Sequence, residues 1–397
     1  MKEGWTYKKL GEVCEILNGF AFQSKNYVPE GIRVVRITNV QKGYIEDVDP
    51  KYYPIESKNE LSRYLLKDGD LLLSLTGNVG RVAIIDCSYL PAYLNQRVAC
   101  IRVKENVSLD LNFLFHLLYS KKFEGDCIKS SKGAAQLNMS TIWLASYLIP
   151  VPSIEEQRSI VARLDAAFAH IDALKANADK QLAEARQLFQ AELAECMRHK
   201  EGWEEKMLGD MCLKITDGTH NSPPNSSIGN YKYVTAKNIK TWGLDLSNIT
   251  YVTEEIHKEI YARCNPEKGD VLYIKDGATI GIAIINPLDE EFSLLSSVAL
   301  IKPIKEKLLS KFLCYALNSP AIYEQTRNQM DGAAITRVTL VKIKGFVIPV
   351  PPVTVQHQIV SRLDALSVNI KKLEEVQRKT LAECDALKQA MLREVFE

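Results

Sequence analysis

Several things this sequence lacks narrow its possible roles. It has no run of eighteen apolar residues, so nothing in it reads as a membrane span. Its opening MKEGWTYKKLGE lacks the apolar core of a signal peptide. Its nine cysteines include no C-x-x-C and no paired spacing, which predicts reduced, mostly buried thiols in a cytoplasmic protein rather than a disulfide framework or a zinc site. It has no G-x-x-x-x-G-K-[ST] loop to cradle phosphates and no G-x-G-x-x-G. G-x-S-x-G, an N-P-P-[YF] tetrad and a histidine pair at metal spacing are missing too. The six histidines are scattered, and His170 and His357 fall on predicted helices as surface or packing residues. Nor is there an excess of one charge. Lys and Arg number 50 against 49 Asp and Glu, and no segment is a basic block. Any nucleic-acid contact must therefore gather positive charge on one face, or share the phosphates with a partner. A chain of 397 residues without a catalytic constellation predicts binding or scaffolding, and no metal site.

What the sequence does have is itself, twice. IPVPSIEEQRSIVARLD from Ile149 and IPVPPVTVQHQIVSRLD from Ile348 agree at ten of seventeen positions. GWTYKKLGEVC at Gly4 returns as GWEEKMLGDMC at Gly202, and KDGDLLLSLTGNVGRVAII at Lys67 as EKGDVLYIKDGATIGIAII at Glu267. VACIRV returns as VALIKP, NFLFHLLYS as KFLCYALNS and SKGAAQ as MDGAAI, always near an offset of 200. So long a period excludes a solenoid and signals a duplicated domain with its connector.

Four segments follow. Residues 1–150 and 201–350 read as mixed α/β domains, their β-rich runs (IRVVRITNV, DLLLSLTG, RVAIID, VACIRV) punctuated by Gly, Asn and Pro. Helices are predicted at Leu111–Ser120 and Ser310–Asn318. Residues 151–200 and 351–397 read as long helices, because no Pro or Gly interrupts them after Pro152 and Pro352 except at Gly202, where the second domain opens. Ile160, Leu164, Ala167, Ile171, Leu174 and Ala178 alternate steps of four and three, the seam of a coiled coil, and Ile359, Leu363, Leu366, Ile370 and Leu373 answer them. The second domain starts where one helix ends and stops where the other begins. Domain termini tend to lie close together, so the helices are expected to pair antiparallel. The expected fold is α+β: two pseudo-twofold-related α/β domains joined by an antiparallel coiled coil.

The framework repeats, but the polar loops do not: Phe20-Ala21-Phe22-Gln23 stands where the second half has Gly218-Thr219-His220-Asn221. One scaffold carrying two sets of Asn, Gln, Arg, Lys and Thr, the residue types that read base edges and hold phosphates, suits two different targets. The candidates for DNA contact are Phe22, Gln23, Arg36, Asn39, Asn78, Arg81 and Arg97 in the first half. In the second they are Thr219, His220, Asn221, Lys237, Asn238, Lys275 and Arg337.

The duplicated GW-x-x-x-x-LG starts, the G-D-[VL]-L strand with its Gly turn, and IP-[VL]-P-x-x-x-Q-x-x-I-V-x-R-LD opening a long helix together resemble the specificity subunits of type I restriction-modification systems, across essentially the whole chain. DGTH at Asp217–His220 with Pro223-Pro224 resembles a recognition-domain loop of that family, and GFAFQSKNY its other common version. The resemblance implies two target recognition domains that read a bipartite, asymmetric double-stranded DNA site, and a helical pair that acts as a ruler between them. It further implies that two methyltransferase subunits using S-adenosylmethionine dock on this chain, joined by restriction subunits that use ATP and Mg. The chain itself would bind no cofactor and catalyse nothing. The competing expectations are a DNA-binding subunit of another defence complex and, less favoured by the Asn/Gln/Arg loops, a non-DNA scaffold.

Overall fold

The computed structural model describes residues 4–133, 137–329 and 336–397. The chain divides into two compact units, Met1–Ala178 with Arg378–Glu397, and Asp179–Gln377. Each is a mixed α/β domain completed by the nearer parts of two long helices.

In the first unit, strands Cys14–Asn18, Val98–Val103, Leu71–Ser74 and Val82–Ile84 lie in that order in one antiparallel sheet. Ile32–Val35 pairs antiparallel with Tyr52–Tyr53 and parallel with Ala92–Leu94 in a second sheet. The run Leu71-Leu72-Leu73-Ser74 does not alternate with polar residues because both of its faces are covered. Leu71 and Leu73 join Ala99 and Ile101 against the helix Leu111–Leu118, whereas Leu72 joins Val98 and Cys100 against Val35 and Leu94 of the second sheet. Asp110 starts that helix by accepting the backbone N–H groups of Asn112 and Phe113. The strand Leu148–Val151 closes the domain by pairing antiparallel with Thr6–Lys9.

The second unit repeats this plan. Cys212–Asp217, Val298–Pro303, Val271–Ile274 and Ala283–Ile285 form the four-stranded sheet, Tyr231–Val234 lies between Thr250–Val252 and Ser293–Leu294, and Val347–Val350 pairs with Glu204–Met207. The predicted helices appear at Leu111–Leu118 and Ser310–Leu317. The helix Glu254–Arg263 was not anticipated.

The repeated phrase now has a physical meaning. Its IPV is the closing strand. Its glutamine, fully buried in both copies, ties the start of the long helix to its own domain. Gln157 Oε1 accepts from Asp110 N at 2.8 Å, while its Nε2 donates to the carbonyls of Ser108 and Pro152. Gln356 does the same with Leu309 N and the carbonyls of Lys307 and Pro351.

The long helices span Ile154–Met197 and Val353–Phe396. In the first unit Lys388 pairs with Asp172 and Lys175 with Asp385. In the second, Gln377 bonds Asp179, Arg186 pairs with Glu374 and Arg362 with Glu192. Partner numbers fall as the first helix's numbers rise, so the pairing is antiparallel within each unit. Ile160, Leu164 and Ile171 are buried in the seam, as are Ile359 and Leu363, while Leu366, Ile370 and Leu373 are half-buried. Leu174 is not in the seam: it is 57% exposed. After Leu164 the buried stripe steps four residues to Phe168 rather than three to Ala167, since the aromatic ring has far more apolar surface to bury. The next inward positions are then Ile171 and Lys175, and Leu174 is turned to solvent.

Candidate nucleic-acid interface

Strand register decides which loops meet. In the first unit Asn18 stands opposite Ala99, Ser74 opposite Val98, Leu73 opposite Val82, and Val35 beside Leu94. The connections leaving these positions, around Phe20–Gln23, Arg36–Gln41, Leu75–Arg81 and Asn95–Arg97, therefore emerge at one end of the domain. The stretch Leu137–Met139 joins them, with Met139 N donating to Leu75 O and Gly77 N to Leu137 O. The second unit has the same register at Asp217–Ala299, Ile274–Val298, Tyr273–Ala283 and Val234–Leu294, and gathers the equivalent loops. Glycine at 19 and 218 reflects this crowding. A Cβ on Gly19 would sit 2.2 Å from the Asn95 carbonyl oxygen, and one on Gly218 1.7 Å from that of Leu294.

Within this frame the candidate residues separate. Gln23, Asn78 and Arg97 are exposed in the first unit, and His220, Asn221, Lys237 and Arg337 in the second. Thr219 is half-buried, its hydroxyl donating to Asn221 O at 3.0 Å, and His220 lies 3.4 Å from Asp217 Oδ1. Arg36 and Arg81 line one hollow of about 590 Å³ with Gln41 and Asn78. Both guanidinium groups are already anchored, Arg36 on the Asp49 carbonyl at 2.6 Å and Arg81 on Gln41 Oε1 at 2.5 Å. Each still has N–H donors to spare. Asp49 is exposed, and the hydrogen bond from Lys51, with a contribution from Arg36, holds its carboxyl below the usual value.

Four expectations are corrected. Phe22 is a packing residue, its ring 5.1 Å from Phe20, 4.9 Å from Tyr53 and 5.5 Å from Tyr93. Asn39, 5% exposed, accepts from Arg36 N and donates to Glu46 O. Asn238, 7% exposed, accepts from Thr235 N and donates to Asp245 O. These two amides are the same turn lock, repeated in both halves and consumed by the backbone. Lys275 is 6% exposed, its Nζ 3.4 Å from Asp217 Oδ2 and 3.1 Å from Asp276 Oδ2. Asp217 is bound in turn by Arg263. Drawing Lys275 out to a phosphate would leave two carboxylates short of their cation.

The sequence reading missed Thr76, Gln96 and Asn138, which with Arg97 line a hollow of about 350 Å³. Thr76 opens the polar stretch TGNVGR and Gln96 stands beside Arg97, but Asn138 sits two residues beyond the SKGAAQ motif. Part of that motif, 134–136, and the whole of its counterpart, 330–335, fall outside the described residues.

Burial pushes Cys14, Cys212 and Cys264 up to about 12, away from the thiolate. No helix is long and apolar enough to cross a membrane among the described residues.

A family model described as type I restriction modification DNA specificity domain matches residues 2–184 and 200–383. The chain is 26% identical over 426 residues to the type I restriction enzyme EcoBI specificity subunit of Escherichia coli, covering 99% of this chain and 86% of that one. It is 22% identical over 424 residues to the EcoKI specificity subunit of E. coli strain K12, covering 100% and 89%. A chain solved in work on complex assembly and conformational transition of the type I R-M system shares its fold, with a TM-score of 0.74 at 23% identity, covering 100% of this chain and 98% of that one. The HsdS subunit from Thermoanaerobacter tengcongensis gives 0.54 at 22% identity, covering 100% and 97%.

Proposed function

This chain belongs to the specificity subunits of type I restriction-modification systems, a family that recognises DNA without itself catalysing, and from that premise we propose that its two units read the two halves of a bipartite, asymmetric double-stranded DNA target. One observation carries the reading. In each unit the strand register gathers the variable polar loops at one end of a framework that is otherwise repeated. Duplicating the scaffold keeps the geometry, and varying the loops changes the bases read. The paired helices then set the distance between the half-sites. Methyltransferase subunits, two in number and carrying S-adenosylmethionine, modify adenine within the site. Restriction subunits, using ATP and Mg, cleave DNA that lacks the mark. Recognition takes place in the cytoplasm, and the near-zero charge of this chain fits a complex whose partners complete the positive channel around the duplex.

The test is to map modified adenine across the host genome by long-read sequencing, before and after deletion of the gene. Loss of a single gapped two-part motif is expected. A methylome that does not change on deletion would count decisively against the reading.

A further inference from the structure

Among the buried side-chain atoms that have no hydrogen-bond partner in the described residues, Thr76 Oγ1 and Asp276 Oδ1 lie at the end of each unit where the polar loops gather. The two stand at the same place in the repeat. Leu75 N donates to Arg97 O, and Lys275 N to Ser297 O. Met139 N donates to Leu75 O, and Val338 N to Lys275 O. Gly77 N donates to Leu137 O, and Gly277 N to Thr336 O. An isolated bridge joins Thr76 to Asn138, and another joins Asp276 to Arg337. One backbone frame thus presents Thr76, Gln96, Arg97 and Asn138 in the first unit, and Asp276, Ser296, Ser297 and Arg337 in the second.

A buried polar atom without a partner is costly, and native chains keep few. To keep one at the same position in both copies, with a different residue type in each, points to a partner that arrives from outside. We infer that Thr76 and Asp276 are specificity-determining residues for the two half-sites, and that Asp276 selects a base whose exposed edge carries an exocyclic amino group. This rests on the DNA-recognition reading above.

The surroundings favour it. Thr76 lines the 350 Å³ hollow with Gln96, Arg97 and Asn138, all three exposed, so it borders a space rimmed by side chains of the types that read bases. The Asp276 side chain is 22% exposed, and Lys275 holds its other oxygen, Oδ2. A carboxylate oxygen only accepts. In the major groove the only donors on base edges are cytosine N4 and adenine N6, so an Asp276 that reads through that groove faces C or A and rejects G and T at that position. A threonine hydroxyl both donates and accepts, so position 76 imposes no such rule. Two copies of one frame thereby present different readers, and Thr76 against Asp276 is one of the differences between them.

The experiment expresses the chain with the methyltransferase subunits of its own system in a host free of adenine methylation, and maps the modified motif for wild type, Asp276→Asn and Thr76→Val, both close in size to the native residue. Asp276→Asn is expected to lose at least about tenfold discrimination at one base pair of one half-site, and Thr76→Val at one base pair of the other, with spacing unchanged in both. If a variant yields no methylation, the co-purified complex is titrated with duplexes replaced one base pair at a time. Lost discrimination confined to one base pair supports the inference, and a uniform loss overturns it. Variants that keep the wild-type motif at wild-type discrimination also overturn it, leaving two oxygens that merely enclose water. A wild-type chain that directs no two-part motif brings down the underlying reading as well, which separates that failure from this one.

Discussion

His116 Nε2 lies 2.7 Å from Asp165 Oδ1, joining the domain helix Leu111–Leu118 to the long helix that follows the domain. The second unit builds the same joint without an imidazole: the Tyr315 hydroxyl donates to Asp364 Oδ1 at 2.8 Å. His116 is 3% exposed, its Nδ1 has no partner among the described residues, and its ring meets Phe168 edge-on at 5.3 Å.

That difference predicts an acid sensitivity at this joint in the first unit that its counterpart joint lacks. Burial lowers the His116 pKa below its ordinary 6.5, an effect that Asp165 and Asp110 oppose and Lys388 reinforces. The unfolded chain therefore takes up its proton first as pH falls. Stability is full above about 6.5 and declines as pH drops from there toward the lower folded value. Thermal melts at about pH 7.5 and 5.5 should show the first unit losing stability at the lower pH, and His116→Tyr, which copies the second unit's joint, should flatten the dependence. An identical acid shift in wild type and variant would refute the assignment.

The buried glutamines predict where the repeated motif is indispensable. Gln157→Leu and Gln356→Leu each leave a backbone N–H and two carbonyls without their partner. Each should destabilise its own unit by about 3 kcal/mol. Urea unfolding of the two variants checks this, and a loss under about 1 kcal/mol would mean that water replaces the amide.

The helix seam makes a prediction about two near neighbours. Ile171, 4% exposed, should cost about 2–4 kcal/mol on truncation to Ala, and Leu174, 57% exposed, under about 0.5. Equal losses in thermal denaturation would restore the seam expected from the sequence.

The loops predict a division between binding and folding. Arg97→Ala should weaken binding of the assembled complex to its DNA site about tenfold without moving the melting temperature, because the side chain is exposed. Asn39→Ala should do the reverse, costing about 2 kcal/mol of stability, because its amide closes a turn. Gel shifts and melts on the two variants separate these outcomes.

The sequence made the repeat, the element types and the antiparallel helix pair legible, because all three follow from periodicity and connectivity. Residue type failed where one side chain has two uses. Asn39 and Asn238 carry the chemistry of base readers and spend it on their own backbone, and Lys275 is neutralised by Asp217, 58 positions earlier in the chain. The Leu174 error came from holding a strict four-three alternation where the size of Phe168 shifted the stripe by one residue. Thr76 and Asp276 lie in the polar stretches TGNVGR and KDGA, but nothing in the sequence set them apart there, because a buried unpaired oxygen is a property of packing.

Each unit is expected to read one half-site independently of the other. The most direct measurement replaces residues 201–350 with the corresponding domain of another specificity subunit and maps modified adenine in a host carrying the methyltransferase partners. One new half-site beside one unchanged half-site, at unchanged spacing, is the expected motif. A motif altered in both halves, or in neither, would contradict it.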